Sequence, residues 1–319
     1  MTISMLPGLF PRQSTGCRGC HSEMRKDIFE RIRTIEDLPT LPSVATEVLS
    51  LAQSPEVSIR QLSETIHQDP PLATKVLKMA NSVFYRRSPQ PVDTLHNAII
   101  LMGLTQIINI TTSISIMSSL PRDSSEEESI RKHYWNHSVA TGLIARILDR
   151  KLGMRSKGRE FVGGLLHDIG KIILDAYFHE DFMEAHTLSI AQHRSIHQIE
   201  KEVCGTTHMD IGFYLAQKWN LPPYLSDIIL WHHTPSKASF PDITSLISIA
   251  NQLAKAKELS CGGDSMSFIL SDEDSWNILK ERGYPVDDLD LERITFEMDA
   301  LGDEVTHYIS TVSDSTPTE

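Results

Sequence analysis

From Glu23 onward the apolar residues recur at intervals of three and four, and no alternating apolar–polar pattern competes seriously with that spacing in the first lobe. That spacing lays an apolar stripe along a 3.6-residue helix, whereas a half-buried strand needs a period of two. An all-α fold is therefore expected. Ile28, Ile32 and Ile35 mark the first helix, and Leu38-Pro39-Thr40-Leu41-Pro42 breaks it. Ser43 can open the next, with Val44, Val48, Leu49 and Leu51 buried and Pro55 as its stop. Ser58 with Gln61 reads as a capping box, and Asp69-Pro70 as an N-cap carboxylate followed by proline in the first turn. Asp93 opens a helix that Gly103 ends, and Thr105 to Met117 continues as a buried one.

Two helical lobes are expected between a tail at 1–23 and another at 313–319: an N-terminal lobe over 24–120 and a second over 127–312. The polar stretch at 121–129 joins them, and its Glu run also suits the start of a long helix that reaches Leu152. Beyond it, helices are expected over 160–178, 188–203, 207–219, 224–232, 244–259, 271–282 and 289–312, with a Gly-, Ser- and Asp-rich loop around 261–275.

Composition narrows the function classes. Lys and Arg total 30 against 42 Asp and Glu, a net charge of −12. General binding to nucleic acid or an anionic membrane needs clustered cations, so neither partner is expected. The longest apolar candidate, Ala98 to Met117, is interrupted by Gly103, Gln106 and Asn109, and no signal-peptide pattern opens the chain. A cytoplasmic location is expected. Four cysteines give no disulfide framework. Cys17-Arg18-Gly19-Cys20-His21 fits a haem-attachment motif or half a zinc site, but without an export signal or a second cysteine pair it reads as a tail with two thiols.

The chemistry concentrates in the histidines, of which there are 14. His167 and Asp168 stand side by side after an apolar run, flanked by Leu165, Leu166 and Ile169. Burying such a pair is costly unless something compensates it, and a divalent cation does so directly with one anionic oxygen and one neutral nitrogen. Lys171 follows one helical turn later, where it can hold a phosphate oxygen or the carboxylate. His133 and His137 share a helix face; His208 opens a helix; His232 and His233 end another; Asn251 lies on the next. Imidazoles and a carboxylate from separate helices are how a bundle builds a polynuclear metal site. Any one of these histidines taken alone reads better as a satisfied core or surface residue, and His96, His179, His186, His193 and His197 are read as surface or helix-packing residues. The set at 137, 167, 168, 208, 232 and 233 is read as a site.

These motifs resemble the HD superfamily of metal-dependent phosphohydrolases, and the stretch from about Leu38 to Leu259 resembles the HDOD domain, an HD-related output domain of bacterial signalling. The resemblance lies in Leu38-Pro-Thr-Leu-Pro42, Asp69-Pro-Pro-Leu-Ala-Thr-Lys-Val-Leu-Lys-Met-Ala-Asn-Ser82, Thr94 to Gly103, Gly163-Gly-Leu-Leu-His-Asp-Ile-Gly-Lys171, Gly205-Thr-Thr-His208 and Trp231-His-His233. It implies an HD-like helical core with two divalent ions, iron or manganese, with zinc as a third candidate. His137, His167 and Asp168 match the first ion's ligands, with Asp168 as the bridge, and His208, His232 and His233 match the second's. Lys171 matches a lysine of that pattern, and His133 stands where some members carry a carboxylate for a third metal. Asn251 stands where the pattern has an aspartate, and an uncharged amide is a weaker ligand. The Gly-Tyr-Pro motif of the related cyclic di-GMP phosphodiesterases is replaced by Thr234-Pro-Ser-Lys-Ala-Ser-Phe240. The resemblance thus implies a regulatory, non-catalytic or weakly catalytic module answering to a signalling partner or a small phosphorylated ligand. The alternative is an active phosphohydrolase using Asp168 and Lys171.

Overall fold

A computed structural model describes residues 28–52, 54, 56–82, 85, 90–120, 125–257 and 273–313. Cys17, Cys20 and His21 lie outside them. Every regular element among the described residues is a helix, as the apolar spacing predicts. The first six are α1 (Ile28–Thr34), α2 (Ser43–Ala52), α3 (Ile59–His67), α4 (Pro70–Ala80), α5 (Leu95–Met102) and α6 (Leu104–Ser119). The predicted starts of α3 and α4 hold. Ser58 Oγ accepts from Gln61 N at 3.2 Å while Gln61 Oε1 accepts from Ser58 N at 3.0 Å, and Asp69 Oδ1 accepts from Leu72 N at 3.0 Å. The cap of α5 is Thr94 rather than Asp93: its hydroxyl accepts from Asn97 N at 3.2 Å. Gly103, at φ +89°, ends α5 and turns the chain into α6, a conformation open to glycine at little cost. Residues 107–117 of α6 are all buried, with α2, α4 and α5 packed around them.

The following helices are α7 (Ser125–Leu152), α8 (Arg159–Leu166), α9 (Ile169–Tyr177), α10 (His179–Gln192), α11 (Ile196–Val203), α12 (His208–Lys218), α13 (Pro223–Trp231), α14 (Pro241–Ala256), α15 (Asp274–Glu281), α16 (Leu291–Asp299) and α17 (Leu301–Ser313). Three predicted single helices are each two. The helix expected over 160–178 breaks at His167-Asp168, where Asp168 has φ −103° and ψ 15°. The one expected over 188–203 is interrupted at His193, φ +51°. The one expected over 289–312 is interrupted at Ala300. Apolar periodicity runs through all three breaks, which is why spacing alone does not reveal them.

Long α7 supports the centre of the fold, packing against α8, α14 and α17. Its crossing with α8 is close enough that a Cβ on Gly164 would lie 2.5 Å from Gly142 Cα. α17 lies against α4, α6 and α7, and its buried Tyr308 ring sits 5.1 Å from that of Phe161. The stretch from α1 to the Leu-Pro-Thr-Leu-Pro turn is fastened to α9 and α12. The Tyr177 hydroxyl donates to Asp37 O at 2.8 Å, Trp219 Nε1 donates to Pro39 O at 2.8 Å, and the Phe29 and Tyr214 rings lie 5.9 Å apart. No single described helix is long and apolar enough to cross a membrane.

The contact that matters most for the site is between α9 and α12. A Cβ on Gly170 would overlap the carbonyl oxygen of His208 and fall 2.8 Å from Gly212 N. Both obstacles are backbone, so neither can swing aside. Gly170→Ala is therefore expected to force α9 from α12 and to cost about 3 kcal/mol, the upper range for overpacking; a denaturant midpoint at wild-type level would contradict this.

Candidate metal centre

The break between α8 and α9 places His167 and Asp168 inside the bundle. α7 brings His137 to them, α12 brings His208 as its first residue, and the end of α13 brings His232 and His233. The ligand atoms of His137, His167 and Asp168 lie within 4.8 Å of one another, as do those of His208, His232 and His233. The two oxygens of Asp168 divide the work. Oδ2 lies 3.3 Å from His167 Nε2, 3.7 Å from His137 Nε2 and 2.6 Å from Lys171 Nζ. Oδ1 lies 3.3 Å from His208 Nε2 and 3.5 Å from His232 Nε2. One carboxylate thus faces both imidazole groups.

Tautomers follow from what the other ring nitrogens touch. His167 Nδ1 is 2.7 Å from the carbonyl of Gly164. His232 Nδ1 is 3.1 Å from Ile229 O and 3.2 Å from Ile228 O. His208 Nδ1 is 2.7 Å from Glu200 Oε2. Carbonyls and carboxylates only accept, so all three Nδ1 atoms carry the proton and donate. In the neutral rings each Nε2 is then a lone pair, and all three aim at Asp168. His208 Nε2 and His232 Nε2 are 3.5 Å apart. Lone pairs facing a carboxylate and one another repel unless a cation lies among them. The ring nitrogens that face away are anchored in the way ligating histidines are usually held. The donor set therefore fits divalent metal.

Electrostatics agree. Burial, reinforced by His167, pushes the His137 imidazole down to about 3. Burial likewise takes His232 down to about 3, against the pull of Asp168. Burial and then His232 hold His233 well below the usual range. These rings are neutral and free to ligate. Burial alone would raise the Asp168 carboxyl, but positive charge at the His167 and Lys171 positions outweighs it and holds it well below the carboxylate range; with His167 neutral, a cation among the imidazoles would supply its share of that charge.

The other expected residues fare differently. Lys171, 2% exposed, pairs with Asp168. Asn251 is buried on α14, which packs against α7 and α8, and its Oδ1 has no hydrogen-bond partner among the described residues. His133 is exposed one turn before His137 and lies outside both ligand groups. Three residues escaped the sequence reading. Glu200 holds His208; its place in the apolar stripe Ile196, Ile199, Val203 was a usable signal. His197, expected as a surface or packing residue, brings its ring 4.4 Å from that of His233. Lys255, one turn after Asn251, adds a positive charge that helps depress His137 and His233.

The helical fold and this cluster agree with the family that comparison with known proteins finds. The HDOD domain family matches residues 38–235, so its match ends before the Leu259 expected from the motifs. The chain belongs to the HDOD domain family. A solved HDOD domain protein of unknown function from Geobacter sulfurreducens is 24% identical and superposes with a TM-score of 0.73, covering 91% of this chain and 98% of that one. A Shewanella amazonensis structure, provisionally named a phosphohydrolase, is 20% identical with a TM-score of 0.66 over 90% of this chain and 98% of its own. An uncharacterized protein of Treponema pallidum (strain Nichols) is 27% identical over 220 residues, 68% of this chain but 42% of that protein. The chain thus spans less than half the length of that curated relative.

Acid sensitivity follows from the buried rings. His137 and His232 stay neutral in the fold down to about pH 3 but take up protons near pH 6.5 when unfolded. Between those values the unfolded chain binds more protons, so stability is lost as pH falls below 6.5. Metal-free protein should lose about 2 kcal/mol for each ring by about pH 5, and His137→Gln should flatten the slope. Denaturation midpoints that do not change between pH 7 and 5 would refute it.

Proposed function

We propose that this chain is a regulatory HDOD module whose histidine–aspartate cluster holds two divalent cations. The observation that carries this reading is the convergence of Nε2 lone pairs from His167, His208 and His232 on one buried carboxylate. His137, His167 and Asp168 would hold one ion, and His208, His232 and His233 the other, with Asp168 giving an oxygen to each. Asn251 would offer a weak amide oxygen to the first. Mixed nitrogen and oxygen ligands suit iron or manganese, and zinc also accepts the imidazoles. Bound ions would tie α7, α9, α12 and α13 together and polarise any phosphoryl oxygen that reached them.

Burial favours regulation over catalysis. His137, His167, Asp168, His208 and His232 are each at most 3% exposed, which leaves a phosphodiester no direct approach to Asp168 in this conformation. His233 and Trp231 are half-buried, so what the module senses would meet the cluster from their side. A signalling protein or a small phosphorylated ligand would supply the input. The second reading, an active phosphohydrolase with Asp168 and Lys171 at its centre, draws support from Lys171 Nζ, 2.6 Å from the shared carboxylate.

Metal analysis of protein purified without chelator tests the first part. About two equivalents of iron, manganese or zinc are expected, and chelation should lower the thermal midpoint. Protein that stays folded and takes up no cation would sink both metal readings. No turnover of a generic phosphodiester, nucleotides or cyclic dinucleotides is expected; turnover that Asp168→Ala abolishes would establish the phosphohydrolase instead.

A further inference from the structure

Glu200 is a carboxylate in an expensive place. It is 0% exposed, and such a group is retained in an interior only where it has partners. Both of its hydrogen bonds among the described residues go to one residue: Oε2 accepts from His208 N at 2.9 Å and from His208 Nδ1 at 2.7 Å. Capping α12 does not require it. Thr207 Oγ1 already accepts from Asp210 N at 3.2 Å, and Asp210 Oδ2 accepts from Thr207 N at 3.1 Å, a complete capping box. Nor does α11 need it for packing, since Ile196, Ile199 and Val203 supply that helix's buried apolar face. What remains is the imidazole.

We propose that Glu200 is a positioning residue for the metal centre: it fixes His208 as the Nδ1–H tautomer with Nε2 aimed at the ion, and strengthens that nitrogen as a donor. The inference rests on the metal reading above. The opposite tautomer would set the Nδ1 lone pair against a carboxylate oxygen at 2.7 Å and point an N–H at the ion's position. Two hydrogen bonds to one oxygen, from the backbone and the ring of the same residue, also fix the ring's orientation. Neighbouring rings are held by neutral carbonyls, Gly164 O for His167 and Ile228 O and Ile229 O for His232. His208 alone of these three leans on a negative charge. An anionic partner draws the Nδ1 proton toward itself and leaves more electron density on Nε2. The carboxylate belongs to α11, so occupancy of the second ion's position is coupled to a helix that contributes no ligand of its own to either group.

Two readouts separate this role from a merely structural one. In metal-free wild-type protein, ¹⁵N NMR of the imidazoles should show His208 protonated at Nδ1 and not at Nε2. In Zn²⁺ titrations, Glu200→Gln, whose amide oxygen still accepts, should keep that tautomer but bind the second ion about tenfold more weakly. Glu200→Leu should lose the tautomer preference and bind about 100-fold more weakly. A merely structural Glu200 would lower the denaturation midpoint and leave the tautomer and the affinity of folded protein unchanged. His208 protonated at Nε2 in the wild type, or folded Glu200→Gln with wild-type affinity, overturns the inference. If Glu200→Leu does not fold, the wild-type spectrum and the isosteric Glu200→Gln decide alone. Wild-type protein that takes up no Zn²⁺ overturns the metal reading and this inference with it, whereas normal uptake with an indifferent Glu200→Gln overturns this inference alone.

Discussion

A carboxylate buried beneath several imidazoles sets the terms for the second half of this chain. Asp168 is 3% exposed, and an isolated carboxylate at that depth costs several kcal/mol. Lys171 supplies one positive charge at 2.6 Å and balances one negative. It does nothing for the nitrogen lone pairs that meet around the same oxygens, because their Nδ1 protons are committed elsewhere. The helices are arranged to bring those nitrogens together despite the repulsion. α8 stops and α9 restarts so that His167 and Asp168 turn inward, α12 begins at His208, and α13 ends at Trp231 with His232 as its cap. Four of these ligands therefore sit at helix ends, where the backbone can aim a side chain into the interior without interrupting a helical hydrogen-bond ladder.

Backbone proximity makes that arrangement possible. Gly164 lets α8 lie directly on α7, and Gly170 lets α9 touch the backbone of α12. Ordinary helix pairs stand 8–10 Å apart because side chains separate them; removing the side chains at both crossings shortens the reach required of every ligand. The apolar bulk around the cluster, with Leu166, Ile169, Ile173 and Ile229 all buried, keeps water from weakening the electrostatics.

Much of this was legible in the residues, unevenly and for physical reasons. Helix starts were readable where a side chain caps the backbone, as at Ser58 and Asp69, since the chemistry is local. Helix interruptions were not. Leu165, Leu166, Ile169, Ile172 and Ile173 keep a helical period straight through the break at Asp168, because both halves face the same core. The candidate histidines could be named because adjacent ionisable groups in apolar runs demand compensation, and the structure gathers six of the expected residues into two groups. His133 could not be separated from His137 by spacing, since both share a face and only depth in the bundle distinguishes them. Glu200 was hidden by the opposite habit: a glutamate in an amphipathic helix is usually solvated, and only its position in the apolar stripe betrays it.

The hydrogen bond from Trp219 to the carbonyl of Pro39 joins residues 180 apart, and that span has a temporal meaning. During synthesis at about 5–20 residues per second, roughly 10–40 s separate the appearance of the turn from that of its partner. Phe29, whose ring meets that of Tyr214 in the finished fold, must spend a similar interval beside a growing chain that has not yet made its partner. The early helices can gather around α6 as soon as it emerges, but the Leu-Pro-Thr-Leu-Pro turn is among the last parts to come to rest.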